Sequence, residues 1–349
     1  MINPINHLLF LVAAWLLFGL AGERRPTLIL SLFGVVFLGL FAPISLAWIG
    51  LTALEACLIV LWLEKKERSS NLRQYFPYVL LLNLLFVEIH PDILLISVDT
   101  LAISFSTIRI FMTSKQLLAM RSGFQRRELQ WIWAAAYYLP ALIVGPVFSG
   151  MDLRKQAEAN ERPALTVQNF RYLLMGCVTV ILINPALMKF ARKLNGSPQT
   201  IDLGFEGAPL FFLILFTGFY GQSLIAEYSS RLFGRTLPYN FDQPWRAANI
   251  RDFWQRWHRS MANFVMQYIF LPLNMRGFNA RMATIAAFVF MGLWHNLSVG
   301  YLIWGFAHGC LLAFWPKNIE NRAGKLFERI ITWAAVIGLS YVANYSWLA

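Results

Sequence analysis

Charge is what this chain has least of. Of its 349 residues, 14% are Asp, Glu, Lys or Arg, and the acidic sign is the scarcer, 18 against 30 basic. Two soluble domains would fit that length. A composition 58% apolar and 15% aromatic excludes them and describes a polytopic membrane protein. The formal charge of +12 invites a nucleic-acid reading. However, Lys and Arg fall in short clusters between apolar runs, as in loops that face anionic membrane lipid, so no nucleic acid is expected as a partner.

Cysteine is nearly absent. Cys57, Cys177 and Cys310 each lie inside an apolar run without paired spacing, which argues against a disulfide framework or a zinc site, and no metal is expected. There is no P-loop, dinucleotide fingerprint or HExxH motif, so a nucleotide-driven pump or a zinc protease has no support. The first basic residue is Arg24, so the N-terminus lacks the charged start of a cleaved signal peptide, and the apolar run 8–22 is expected to stay as a membrane helix. With no internal repeat and no low-complexity linker, residues 1–349 are expected to form one membrane domain.

What the chain does have is apolar runs, near 4–22, 26–42, 44–63, 77–96, 98–112, 129–150, 166–188, 208–230, 280–299, 301–316 and 328–347. Spanning takes about 20 residues, so some of these must be tilted, broken or re-entrant. The expected fold is all-α and polytopic, with roughly nine to eleven transmembrane helices plus interfacial or re-entrant ones. Glu55, Asp99, Arg109 and Glu227 sit in or near apolar runs, where charge needs a partner or a polar cavity; Glu55 is expected to pair with an arginine such as Arg109.

Two aromatic–histidine clusters stand out between 237 and 309. The first, IRDFWQRWHRSMANFV, reads as an amphipathic helix over 250–265. Trp254, Trp257, Met261, Phe264 and Val265 share one stripe, and Asp252, Gln255, Arg256, Arg259 and Asn263 lie opposite, as in a helix at a membrane interface. His258 falls on the seam, about 80° from Ile250. His295 follows an almost uncharged run, 282–294, and is expected within hydrocarbon or a protein-lined cavity. Burial there would disfavour the protonated imidazole and keep it available as a base. On one unbroken helix His308 would point about 220° away from His295. A break at 296–300 would let both face one cavity, although packing beside Trp304 and Gly305 is the favoured account of His308.

This stretch resembles the membrane-bound O-acyltransferase family, particularly its bacterial branch of alginate O-acetylases and lipoteichoic-acid D-alanyl transferases. The branch's N-F-x-x-P-Y-like segment is matched by Asn240, Phe241, Pro244 and Trp245, and its F-W-x-R-W-H by Phe253, Trp254, Arg256, Trp257 and His258. A D/E-Y-L-x-x-P-L-like element is matched by Gln267, Tyr268, Ile269, Phe270, Leu271, Pro272 and Leu273. G-L-W-H and W-G-x-x-H-G correspond to Gly292, Leu293, Trp294 and His295, then Trp304, Gly305, His308 and Gly309. Upstream, 102–107 and 139–147 resemble the branch's G-I-S-F-x-T-F and F-P-x-x-x-x-G-P-I. Asn296 stands where the branch usually has Gly, and Asp242, Trp245 and the run 221–228 also depart.

The resemblance implies an O-acyltransferase of the bacterial cytoplasmic (inner) membrane. It would pass a short acyl group, acetyl above all, from a cytoplasmic thioester towards hydroxyls of an envelope polysaccharide. The donor would be acyl-CoA or an acyl-phosphopantetheine carrier, with no permanently bound cofactor, and an extracytoplasmic acyltransferase or esterase-like protein would be the partner. His295 and His258 are the implied catalytic residues, with His295 as general base; for His258, anchoring the helix remains an equal alternative. Trp254, Trp257, Arg256, Asn240, Trp294 and His308 are the candidate substrate contacts. Arg246, Arg251, Arg256 and Arg259 would grip the donor's phosphates or, alternatively, snorkel to lipid phosphate. D-Alanyl transfer from a carrier protein to a teichoic-acid-like polymer and a non-catalytic envelope transporter are the alternatives.

Loop charge sets an expected orientation. Arg24, Arg25, Lys65, Lys66, Arg68, Arg73, Lys115, Arg121, Arg126 and Arg127 would be cytoplasmic, while the turns at Ala42-Pro43 and His90-Pro91-Asp92 carry no Lys or Arg. The N-terminus would then lie outside. Cysteines introduced at Ser69 and Ser122 should resist an impermeant thiol reagent in intact cells; ready labelling of both would reverse the orientation.

Overall fold

The computed structural model describes residues 4–21, 26–66, 71–84, 100–120, 125–159, 163–195, 204–315 and 322–344. Arg24, Arg25, Arg68, Arg121, His90, Asp99 and the later part of the 77–96 run lie outside these. Among the described residues the chain is helical, with no strand. Four stretches are long and apolar enough to cross a membrane, 43–64, 167–194, 205–232 and 323–343, joined by shorter apolar helices. The protein is therefore a multi-pass membrane protein.

The chain divides into two compact units, one of residues 1–177 with 222–238 and one of 178–221 with 239–349. In the first, α1 (Pro4–Ala21), α2 (Pro26–Phe41) and α3 (Pro43–Glu64) precede α4 (Thr100–Ala119), α5 (Gln130–Ala136) and α6 (Gly150–Glu158). Proline opens α1, α2 and α3, where the missing N–H has no intrahelical acceptor to lose. The centre of this unit is α4, buried continuously from Ala102 to Ser114 despite carrying Ser104, Ser106, Thr107, Arg109, Thr113 and Ser114.

Those polar residues explain why the apolar run 129–150 is not a spanning helix. After α5 the chain turns irregular, because Pro140 and Pro146 supply no N–H and disfavour helical geometry in the residue before them. Non-helical backbone at membrane depth survives only where protein groups satisfy it. Here Ser106 Oγ donates to the Ala136 carbonyl at 2.8 Å, and Arg109 Nη2 to those of Ala141 at 2.5 Å and Pro146 at 3.5 Å. The Gly150 N–H donates to Thr113 Oγ1 at 2.7 Å, and His7 Nε2 lies 2.7 Å from the Leu139 carbonyl oxygen. Arg109 thus holds this segment rather than Glu55. The Glu55 carboxylate instead accepts from Asn83 Nδ2 at 2.8 Å, a correction to the expected ion pair.

Helix α7 (Val167–Val178) continues through a π-helical turn, Thr179–Ile183, into α8 (Asn184–Asn195), and α9 spans Ala208–Leu232. In the second unit Asn184 Nδ2 donates to the Ile214 carbonyl at 2.7 Å and to Thr217 Oγ1 at 2.9 Å, tying α8 to α9. Two short helices, α10 (Ile250–Arg256) and α11 (Arg259–Val265), precede α12 (Ala280–His295), α13 (Val299–Phe314) and α14 (Arg322–Ala343). Asn279 caps α12 by accepting the Met282 N–H at 2.9 Å.

Close contact between α12 and α13 depends on glycine. A Cβ at Gly305 would lie 2.4 Å from the Phe288 carbonyl oxygen, and one at Gly292 2.3 Å from that of Tyr301. Small residues at such spacing let helix backbones meet where hydrocarbon gives no hydrophobic drive. Gly305→Ala should therefore destabilise the hairpin by about 1–3 kcal/mol through overpacking. Gly39→Ala, whose Cβ would meet Leu46 Cδ2 at 3.6 Å, should be tolerated. The monodisperse fraction after detergent extraction compares the two.

Candidate functional site

The segment 250–265 is not one helix. It breaks at Trp257, which is extended, and His258, which sits in the left-handed region at φ 44°, ψ 48°. The cause is a competing backbone segment: the Asp242 N–H donates to the Arg256 carbonyl at 2.9 Å, and the Arg259 N–H to that of Asn240 at 3.0 Å. Asn240 is fully buried, and its Oδ1 accepts the Ser260 hydroxyl at 2.5 Å. These bonds offset the roughly 1–2 kcal/mol that left-handed backbone costs a residue with a Cβ.

The two faces expected of the segment persist across the break. Trp254, Met261, Phe264 and Val265 are buried, Trp257 is half-buried, and Gln255 and Asn263 are exposed. Trp257 lies among Phe212, Phe216, Phe241 and Phe253, with ring centroids 5.0–5.6 Å away. The break takes His258 off the seam and buries its ring 4.6 Å from Phe219 and 6.1 Å from Trp294. Burial first, and the neighbouring His295 second, push the His258 imidazole well below its usual range, so it is neutral near pH 7.

His295 is the last residue of α12. Its side chain reaches the protein's surface, yet the imidazole lies deep among protein atoms, and the chain leaves the helix at Asn296 in an extended conformation. Its ring lies 4.7 Å from Trp294, 5.6 Å from Tyr301 and 5.6 Å, edge-on, from Trp304. The expected break is present at 296–298, and Ser298 caps α13 by accepting the Tyr301 N–H at 3.4 Å. His308 is buried, with Trp304 at 4.9 Å and Trp254 at 5.1 Å. It is thus walled by indoles, which agrees with a packing role.

Rings therefore connect the three motif histidines in one series: His258, Trp294, His295, Trp304, His308 and Trp254. Arg256 is already engaged, with Nε 2.6 Å from Asp252 Oδ1 and Nη1 donating to the Asp242 carbonyl at 3.2 Å. Arg251 Nη2 donates to the Leu312 carbonyl at 2.9 Å, Arg259 lies 3.8 Å from Asp242, and Arg246 is exposed. The side chains of Asn240 and Arg256 are so engaged within the protein, with Ser260 in the one case and with Asp252 and the Asp242 carbonyl in the other. Among the described residues no three His, Cys, Asp or Glu side chains gather as metal ligands.

Sequence reasoning missed Tyr301, Ser260 and Phe219. The reversal at 296–298 was the available signal for Tyr301, since it folds the first turn of α13 back over His295. Nothing local announced Phe219, whose place depends on where α9 packs.

The architecture is that of an all-helical, multi-pass membrane protein with histidines strung along a glycine-packed hairpin. Residues 28–322 match the family model of membrane-bound O-acyltransferases, and the chain belongs to that family. It is 27% identical over 230 residues to the peptidoglycan O-acetyltransferase of Helicobacter pylori, covering 60% of this chain and 42% of that protein. It is 31% identical over 183 residues to the probable alginate O-acetylase AlgI of Pseudomonas putida, covering 50% and 37%. With the teichoic acid D-alanyltransferase of Bacillus subtilis it shares 27% identity over 247 residues, covering 64% and 60%. The chain thus spans less than two thirds of the length of each of these relatives.

Charge on the buried side of the 250–265 segment should hurt more than charge removed opposite. Trp257→Glu would put a carboxylate among four phenyl rings and should lose folded protein, whereas Arg259→Gln gives up one long, exposed ion pair worth at most about 1 kcal/mol. Equal membrane abundance and activity of the two variants would refute this assignment.

Proposed function

We propose that this chain moves a short acyl group, most simply acetyl, from a cytoplasmic thioester towards hydroxyls of a bacterial envelope polysaccharide, with His295 as general base. The observation that carries the reading is His295 itself, an exposed imidazole at a helix end, braced by indole and phenol rings, within the matched stretch of an acyltransferase family. An imidazole nitrogen takes the proton of the acceptor hydroxyl while that oxygen attacks the thioester carbonyl carbon. The carbon–sulfur bond breaks, and the thiolate leaves and regains a proton, giving an ester and a free thiol. Burial and neutrality suit His258 to packing against Trp294 and keeping the neighbourhood of His295 free of a second positive charge.

The donor is acyl-CoA or an acyl-phosphopantetheine carrier, and the setting is the inner membrane. A hydrolase-like protein on the outer side takes the acyl group onward to the polymer. The O-acetylating relatives favour acetyl. Similarity to the D-alanyltransferase of Bacillus subtilis keeps D-alanyl as the second reading, through the same base.

His295→Gln keeps a polar side chain of similar reach that accepts a proton poorly. Acyl ester on isolated envelope polymer, normalised to membrane-inserted protein, should fall about 10²–10⁴-fold. Asn296→Gly should be much milder. Near-normal ester with His295→Gln at equal abundance would remove His295 as the base and put the transporter reading first.

A further inference from the structure

We infer that Tyr301 is a positioning residue for the imidazole of His295, and that Asn344, at the end of α14, sets Tyr301 in place. The inference rests on His295 acting as the base. An exposed histidine at a helix end has two freely rotating side-chain torsions, and a base must present one nitrogen in a narrow range of directions. The neighbouring rings have to supply that restraint. The Tyr301 ring lies 5.6 Å from the imidazole, centroid to centroid, at 33° between planes, while Trp304 meets the same imidazole edge-on at 87°.

Tyr301 is itself held from outside its own helix. Its hydroxyl donates to Asn344 Oδ1 at 2.9 Å, and Asn344 Nδ2 donates to the Ser340 carbonyl at 2.9 Å. The Asn344 N–H also donates to the Tyr341 carbonyl at 3.1 Å. Both functions of the Asn344 amide are therefore fixed, and the acceptor it offers the phenol has one orientation. The end of α14 can come this close because residue 300 is glycine. A Cβ there would lie 2.8 Å from the Ala343 carbonyl oxygen and 3.0 Å from that of Val342. One line of contact then runs from the last turn of α14, through Asn344 and Tyr301, to the imidazole.

The phenol does no chemistry in this account. Its hydroxyl is occupied by Asn344, and its ring face restricts the imidazole. Removing the ring should therefore loosen the base, while removing only the hydroxyl should loosen the ring by one hydrogen bond.

The test uses membranes containing the full chain together with the envelope polysaccharide as hydroxyl acceptor, with acetyl-CoA as donor and release of free CoA as the rate, normalised to inserted protein. Tyr301→Leu should lower kcat about 10- to 100-fold, as misplacement of a catalytic group does, with the KM for acetyl-CoA little changed. Tyr301→Phe and Asn344→Leu should each cost about fivefold, the worth of one hydrogen bond, and together no more than either alone. In a His295→Gln background Tyr301→Leu should have no further effect on the residual rate.

Wild-type kcat in Tyr301→Leu would overturn the inference, as would an equal loss from Tyr301→Leu in the His295→Gln background. Additive losses from Tyr301→Phe and Asn344→Leu would overturn the role of Asn344. If Tyr301→Leu fails to accumulate, the Tyr301→Phe and Asn344→Leu pair decides. Failure of the parent reading looks different, because His295→Gln would then retain near-normal turnover.

Discussion

The contact between α12 and α13 through Gly292, Gly305 and Gly309 is the constraint on which the rest of the histidine-bearing region depends. A Cβ at any of the three would overlap the backbone of the facing helix, at 2.3 Å, 2.4 Å and 2.8 Å respectively. Because the backbones meet, the large residues between the glycines cannot lie in the seam and must stand beside it. Trp294, Trp304 and His308 take those places, and Trp254 from α10 closes over Trp304 and His308 at 5.6 Å and 5.1 Å. The tryptophan–histidine pattern is thus a geometric consequence of the glycine pattern, since the same motif supplies both the close seam and the bulky flanks.

A second constraint works on backbone rather than volume. The chain over 240–242 inserts its own donors and acceptors into what sequence periodicity marks as a helix, and the helix yields at Trp257 and His258. Strain at His258 is small beside the hydrogen bonds gained, and histidine is among the side chains that tolerate left-handed backbone best. The result is a buried, neutral imidazole opposite Phe219, reached by no amphipathic-helix argument. In the other unit the same logic applies to 137–149, where prolines remove the helix and side chains of α4 replace its hydrogen bonds.

How much of this was legible in the sequence follows from the range of the forces involved. Apolar runs, proline helix starts and the two faces of 250–265 are local, and they were readable. So was the reversal after His295, because Asn296 and Ser298 interrupt an apolar pattern with residues suited to a helix end and a cap. The break at His258 was not, since it is imposed by Asn240 and Asp242 from outside the helical window. The pairing of Glu55 was misjudged for a related reason: charge complementarity favoured Arg109, but carbonyls of the non-helical segment claimed the guanidinium first. His295 was expected within hydrocarbon or a protein-lined cavity because the run before it is apolar; that run ends one residue earlier, so the histidine closes the helix and reaches the protein's surface.

Exposure of His295 and burial of His258 and His308 divide what a row of similar side chains can do. The role proposed for His295, taking the proton of an incoming hydroxyl, needs an imidazole that can be reached from the protein's surface, which an enclosed one cannot be. Enclosed imidazoles are instead well placed to define ring positions by contact, and each is separated from His295 by one indole, Trp294 or Trp304. The indoles transmit position without offering a competing proton acceptor, since their N–H only donates. Replacing either by histidine would put a second proton acceptor beside the base proposed at His295. On this reasoning tryptophan is required at 294 and 304 for what it cannot accept as much as for the volume it fills.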